Sequence, residues 1–134
     1  MAHRVGPGDW IATVDEDIRA VELCLASDRP AIKAATYHCQ QAAEKLVKAV
    51  LVSLNIDFSK THDIDSLIMR IPAGEPARGP LCVLGKFTAY ATLYRYPGEA
   101  SDVSDDPTLE EAASWLSEIQ AVRMEVMRFL NLPG

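Results

Sequence analysis

The sequence predicts an all-α fold: one up-and-down bundle of four long helices plus one short helix. Three observations predict it. Apolar residues recur at spacings of three and four along most of the chain, as they do on one face of a helix. Period-two alternation is absent and β-branched residues do not cluster between turns, so no strand is signalled. Breaks rich in proline and glycine, at Asp28-Arg29-Pro30, Pro72 to Pro80 and Pro97-Gly98, divide the chain into helical segments.

Gly6-Pro7-Gly8 closes a flexible lead-in over residues 1–8, and Asp9 is the expected cap of the first helix. Trp10, Val14, Ile18, Val21 and Leu25 form its apolar stripe, with Asp15, Glu16, Arg19 and Glu22 on the wet side. Arg29 precedes Pro30 and is pushed out of the helical region, which ends the element. The second helix, about Ala31 to Leu54, organises the rest. Ile32, Ala35, Cys39, Ala42, Ala43, Leu46, Val50 and Leu54 share one apolar face that the other helices cover. His38, Gln41, Lys45 and Lys48 follow the same spacing as a polar stripe on the far side. Glu44 and Lys48 make a favourably oriented pair one turn apart, worth about 0.3–0.5 kcal/mol when exposed.

Asn55 to Lys60 reads as a loop, after which Thr61 or Asp63 caps a short third helix carrying Ile64, Leu67, Ile68 and Ile71. The connector Pro72 to Pro80 is expected to hold no regular element. A fourth helix places Val83, Leu84, Phe87, Tyr90, Ala91 and Tyr94 on one side and stops before Pro97-Gly98. The last helix spans about Pro107 to Leu130. Its start is either Pro107 behind Asp106, or a capping box of Thr108 and Glu111. Leu109, Ala112, Leu116, Ile119, Met127 and Leu130 suffice for one core, while Trp115, Val122, Val126 and Phe129 widen one flank and Met124 the other. A helix apolar over more than half its girth is covered on two sides. The second cover is a twin subunit in a two-fold dimer, or else the third helix and the connector; the homodimer is the simpler expectation.

Composition sets the outer limits. A chain of 134 residues, 49% hydrophobic and 24% charged, is one soluble globular domain. A net charge of −6 and a pI near 5.0 argue against broad nucleic-acid binding, which needs a basic footprint. No apolar run is long enough for a bilayer, and Met1 to Gly8 lacks the apolar core of a signal peptide, so the expected address is cytoplasmic. Cys24, Cys39 and Cys82 have no metal-ligand spacing and read as reduced, packed thiols.

Chemistry-bearing residues are few. His62-Asp63 is a pair found in metal-dependent phosphohydrolases, but only His3 and His38 remain and no His-x3-His spacing exists, so no metal is expected. The alternative is a helix-start cluster, Thr61-His62-Asp63, with a solvated imidazole. Gly6-Pro7-Gly8 follows no strand and lacks the Lys-Ser/Thr ending of a phosphate cradle, and no cofactor is expected. His38 and Cys39 are helix neighbours pointing about 100° apart, so they form no thiolate–imidazole pair. Arg95-Tyr96-Pro97, beside Tyr90 and Tyr94, suits a phosphate and a stacked base. Equally, Arg95 answers the negative helix end and the tyrosines are core. The stripe His38, Gln41, Lys45 and Lys48 is either a solvated face or a groove for phosphate or a partner's acidic segment. Glu99, Asp102, Asp105, Asp106, Glu110 and Glu111 form an acidic band that suits a basic partner. Arg123, inside the apolar arc of the last helix, either snorkels or pairs at the dimer seam.

Three of these pieces in order, Gln40-Gln41-Ala42-Ala43-Glu44-Lys45 with Lys48-Ala49, then Thr61-His62-Asp63 with Leu67, then Arg95-Tyr96-Pro97, resemble the HEPN family. The likeness covers most of the chain. It implies a bundle of four to five helices, usually dimeric, frequent pairing with a minimal nucleotidyltransferase, and a nucleotide-binding role. Many members are metal-independent ribonucleases whose signature is an arginine followed, after four to six residues, by histidine. Here the corresponding positions after Arg95 are Ala100, Ser101 and Asp102, and no other arginine has a histidine in that window. Attack by a 2′-hydroxyl needs a base near neutral pKa, which those residues do not supply. The expectation is therefore a non-catalytic HEPN-type homodimer that binds a nucleotide, a minimal nucleotidyltransferase, or both, through Gln41, Lys45, His62, Arg95 and Tyr96. The alternatives are a toxin-like ribonuclease of a toxin–antitoxin pair, with His62 brought near Arg95, and a structural dimerisation scaffold.

Overall fold

The breaks read from the sequence fall where helices end. In a computed structural model, residues 5–90 and 106–132 are described. They form α1 (Pro7–Ala26), α2 (Ile32–Ser53), α3 (Ile64–Met69), α4 (Arg78–Leu81), a 3-10 helix (Cys82–Tyr90) and α5 (Leu109–Leu130). The fold is all-helical, with no strand among the described residues.

Local chemistry sets each start. Gly6 is the N-cap of α1 and Pro7 its first residue, a position where proline forfeits no helical hydrogen bond. Asp9, expected as the cap, lies inside the first turn instead, where its Oδ2 accepts the Gly6 N–H at 2.8 Å. For α3 the cap is Asp63 rather than Thr61: its carboxylate accepts the Ser66 N–H at 3.1 Å. For α5 the capping box decides. Thr108 Oγ1 accepts the Glu111 N–H at 3.1 Å and Glu111 returns the bond to the Thr108 N–H at 3.0 Å, leaving Pro107 outside the helix. Asn131 closes α5 in the left-handed region, at φ 57°.

The core runs along α2. Ala35, Cys39, Ala42, Ala43, Leu46 and Val50 are fully buried, and the small side chains among them let the neighbouring helices approach closely. Val14, Ile18 and Val21 of α1 meet that core from one side, and Ile119, Val122 and Val126 of α5 contribute from another. Burial pushes the Cys39 thiol up to about 12, reinforced by Asp17, so it packs as a small hydrophobe. Cys82 departs from the expectation of a packed thiol: it is exposed, with Sγ donating to the Arg78 carbonyl at 3.3 Å.

Residues 78–90 differ from the sequence reading. The connector ends in a helical turn, α4, and the first part of the expected fourth helix is a 3-10 helix. Residues 91–96, its remainder, lie outside the described residues. Leu81, Leu84, Phe87 and Tyr90 recur every three positions, and a helix of three residues per turn stacks them on one side. Two contacts tie this segment to α3. Thr88 Oγ1 accepts the Ile64 N–H at 3.0 Å, and buried Gly85 sits so close to the Asp65 carboxylate that a Cβ there would collide with it.

That segment also supplies the second cover for α5. Phe87 meets Trp115 edge-on with centroids 5.7 Å apart, and Tyr90 lies 5.3 Å from the same ring. Trp115, Val122 and Val126 are buried within the protomer, and the cover over Trp115 comes from the 3-10 helix rather than from the third helix expected in the alternative reading. Arg123 neither snorkels nor waits at a seam between subunits. Its guanidinium donates to both carboxylate oxygens of Asp15 on α1, at 2.6 and 3.0 Å. Among the described residues no helix is long and apolar enough to cross a membrane.

The cover makes a prediction. Phe87→Ala should cost about 3–5 kcal/mol, as truncation of a buried aromatic does. In a Trp10→Phe background, the remaining Trp115 emission should shift to the red. Urea unfolding and the emission spectrum check both; an unchanged spectrum would mean that Phe87 does not shield that ring.

Candidate functional site

The stripe Trp10, Val14, Ile18, Val21 of α1 includes one residue that breaks its chemistry. Asp17 lies three positions after Val14 on the same face and is buried. A carboxylate in that position is costly unless paired and hydrogen-bonded. The partners come from α2: His38 Nδ1 stands 2.9 Å from Oδ1, and Lys45 Nζ donates to Oδ2 at 2.7 Å. The Tyr37 ring meets the His38 imidazole edge-on at 5.3 Å, which further sets the ring's orientation.

A second buried carboxylate stands on α2 itself. Glu44 Oε1 accepts from Gln40 Nε2 at 2.9 Å and faces His62 Nδ1 at 2.8 Å, while Oε2 accepts from Lys48 Nζ at 2.7 Å. Gln41 Nε2 extends the chain by donating to Gln40 Oε1 at 2.8 Å. The Lys48 ammonium lies 5.6 Å from the ring centroids of both Trp10 and Phe58, so two aromatic faces replace part of its hydration. Burial alone would raise the Glu44 pKa. The hydrogen bonds and charges of Lys48 and His62 outweigh it and hold the carboxyl below its ordinary value.

The polar stripe of α2 is thus not the solvated face that hydropathy suggests. Lys48 is buried, Gln41 and Lys45 are half-buried, and each side chain is spent on a partner. Glu44 and Lys48 do pair as expected, but in the interior. Of the five expected site residues, Gln41 and His62 meet around Glu44, and Lys45 joins the neighbouring cluster around Asp17. Arg95 and Tyr96 lie outside the described residues, as do Tyr94, Glu99, Asp102 and Asp105. Sequence reasoning missed Asp17 and Gln40, and took Glu44 for a surface residue. The available signal was Asp17 itself, a carboxylate standing where the apolar stripe wants an aliphatic side chain.

Chemically the site is a pair of carboxylate-held imidazoles. Each Nδ1–H donates to a buried carboxylate, which fixes a proton on Nδ1 and leaves Nε2 for other partners. The side chains of His38 and His62 are 33% and 40% exposed, enough for that second nitrogen to meet a ligand. Among the described residues no group of three or more His, Cys, Asp or Glu is placed to hold a metal ion.

The HEPN domain matches this chain over residues 8–129. The chain belongs to the HEPN family. No curated protein and no solved structure matches it. The HEPN match runs from the first turn of α1 to the last of α5, so both carboxylate clusters lie inside the domain.

Acid titration tests the Glu44 cluster. A carboxyl held below its unfolded value stabilises the fold above the ordinary Glu range and loses that contribution as pH falls through its folded pKa. Stability should therefore fall below about pH 4.5. Glu44→Gln should lack its share of that loss and, with Lys48 left without a counter-charge, be less stable at neutral pH by about 3–5 kcal/mol. Urea midpoints across pH check both.

Proposed function

We propose that this HEPN chain is a non-catalytic module: a homodimer that binds a nucleotide on the polar side of α2 and partners a minimal nucleotidyltransferase. The observation that carries this reading is that Gln41, Lys45 and His62 are held by two neighbouring hydrogen-bonded clusters along α2, one anchored by Asp17 and the other by Glu44. Groups held this firmly offer a ligand donors and acceptors with little ordering cost. Arg95 and Tyr96 are proposed to complete the site with a guanidinium for phosphate and a ring for the base. The missing Arg-to-His spacing favours binding over chemistry. So does the pairing of both lysines with carboxylates, which leaves no uncompensated ammonium to stabilise a phosphorane-like charge.

Isothermal titration with ATP, GTP, AMP and GMP tests the ligand. Binding with a dissociation constant below about 1 mM is expected, and His62→Ala should weaken it about tenfold or more, the loss of one hydrogen bond to a charged group. No heat from any of the four at that concentration contradicts the reading. Sedimentation tests the dimer, for which a lone protomer at high concentration is the contrary result.

One observation favours a second reading, the toxin-like ribonuclease. The Glu44–His62 pair has the form of an oriented general base, with a buried carboxylate behind Nδ1 of a side chain that is itself partly exposed. It requires growth arrest and RNA decay on expression, both abolished by His62→Ala. Unimpaired growth with intact RNA removes it.

A further inference from the structure

Both ammonium groups of the α2 face are already compensated. Lys45 donates to Asp17 and Lys48 to Glu44, each at 2.7 Å. Counted without the imidazoles, the two clusters hold two positive charges, Lys45 and Lys48, and two negative, Asp17 and Glu44, and so present no net attraction to an anion. Neither lysine is free to turn outward, because its departure would strand a buried carboxylate. Beyond the guanidinium proposed for Arg95, any further charge for a phosphate must therefore come from groups other than these two lysines.

The imidazoles can supply it. On the reading that a nucleotide docks on this face, we infer that phosphate binding is proton-coupled: His38 and His62 each take up a proton at Nε2 as the anion arrives. Nδ1–H stays on Asp17 or Glu44, and the new Nε2–H donates to a phosphate oxygen, so no covalent bond beyond N–H changes. Each cluster then carries one net positive charge at its partly exposed edge. The charged groups joined to these rings, directly or through their carboxylates, are Asp17 from α1 and Glu44, Lys45 and Lys48 from α2, and the Tyr37 ring lies against His38. Asp63, next to His62, is exposed and turned to the start of α3, where it caps Ser66. The ligand class is a phosphate monoester or an oxyanion of similar charge, and the geometry distinguishes it from a neutral nucleoside, which would gain nothing from the protons.

AMP is the probe. Its binding is measured by titration calorimetry at about pH 5.5 and about pH 8, the range over which histidine charges, in buffers of different ionisation enthalpy that count protons taken up. AMP's own second ionisation is common to every chain, so the difference between wild type and variant isolates the rings. The wild type should gain roughly tenfold more affinity on acidification than His38→Gln or His62→Gln, and each variant should take up fewer protons. Circular dichroism establishes that the variants fold. Equal pH dependence and equal proton uptake in wild type and both variants would overturn the inference while leaving the nucleotide reading intact. So would loss of AMP binding by both folded variants at about pH 8, where the rings act by contact and not by charge. Absence of AMP binding by the wild type at either pH would overturn both.

Discussion

Two carboxylates buried between helices, Asp17 and Glu44, constrain how this bundle closes. Neither is tolerable alone in the interior, since an unpaired buried charge costs several kcal/mol. Each dictates its neighbourhood. Asp17 obliges α1 to lie where His38 and Lys45 of α2 can reach it, and Glu44 obliges the segment after α2 to bring His62 back against the same helix. The apolar core would hold the helices together in several registers. The paired charges select one, because a slip of a single turn would leave four charged or polar groups without partners.

The rest of the bundle is secured by different means. On the side of α5 the contacts are aromatic and aliphatic: Phe87 and Tyr90 against Trp115, with Leu81 and Leu84 beneath. The Arg123–Asp15 fork then ties α5 to α1 near the surface. One side of the molecule is therefore a conventional core, and the other is a polar network inside the helix packing. That division matters for function, since among the described residues the buried carboxylates with partly exposed imidazole partners lie on the second side.

Much of this was legible in the residues. The three long helices follow from spacings of three and four, and the Asp63 cap and the Thr108–Glu111 box follow from short-range chemistry that needs no tertiary context. The 3-10 helix was not legible as such, because Val83, Leu84, Phe87, Tyr90 and Ala91 fit an α-helical face nearly as well. Only the close approach at Gly85 and the Thr88 bond to α3 reveal the tighter winding. The polar stripe misled for a plain reason: His38 and Lys45 look solvated until an unpaired Asp17 is seen to need them. Hydropathy weighs each residue singly, whereas burial of a charge is decided by pairs. The girth of α5 did not reveal which segment covers it, since Trp115 finds cover in the aromatic 3-10 helix of the same chain. Of the candidate site, three residues of five can be placed, and Arg95 and Tyr96 fall outside the described residues.

The central claim, that buried carboxylates fix both imidazoles through Nδ1, has a direct spectroscopic test. Nitrogen-15 correlation spectra of the histidine side chains distinguish a protonated from an unprotonated ring nitrogen at a pH where the rings are neutral. His38 and His62 should both appear as the Nδ1–H tautomer, with the Nε2 signal of an unprotonated nitrogen. Signals averaged between tautomers, or the Nε2–H form common in freely solvated histidine, would mean that Asp17 and Glu44 do not hold these rings, and the arrangement described for α1 and α2 would be wrong.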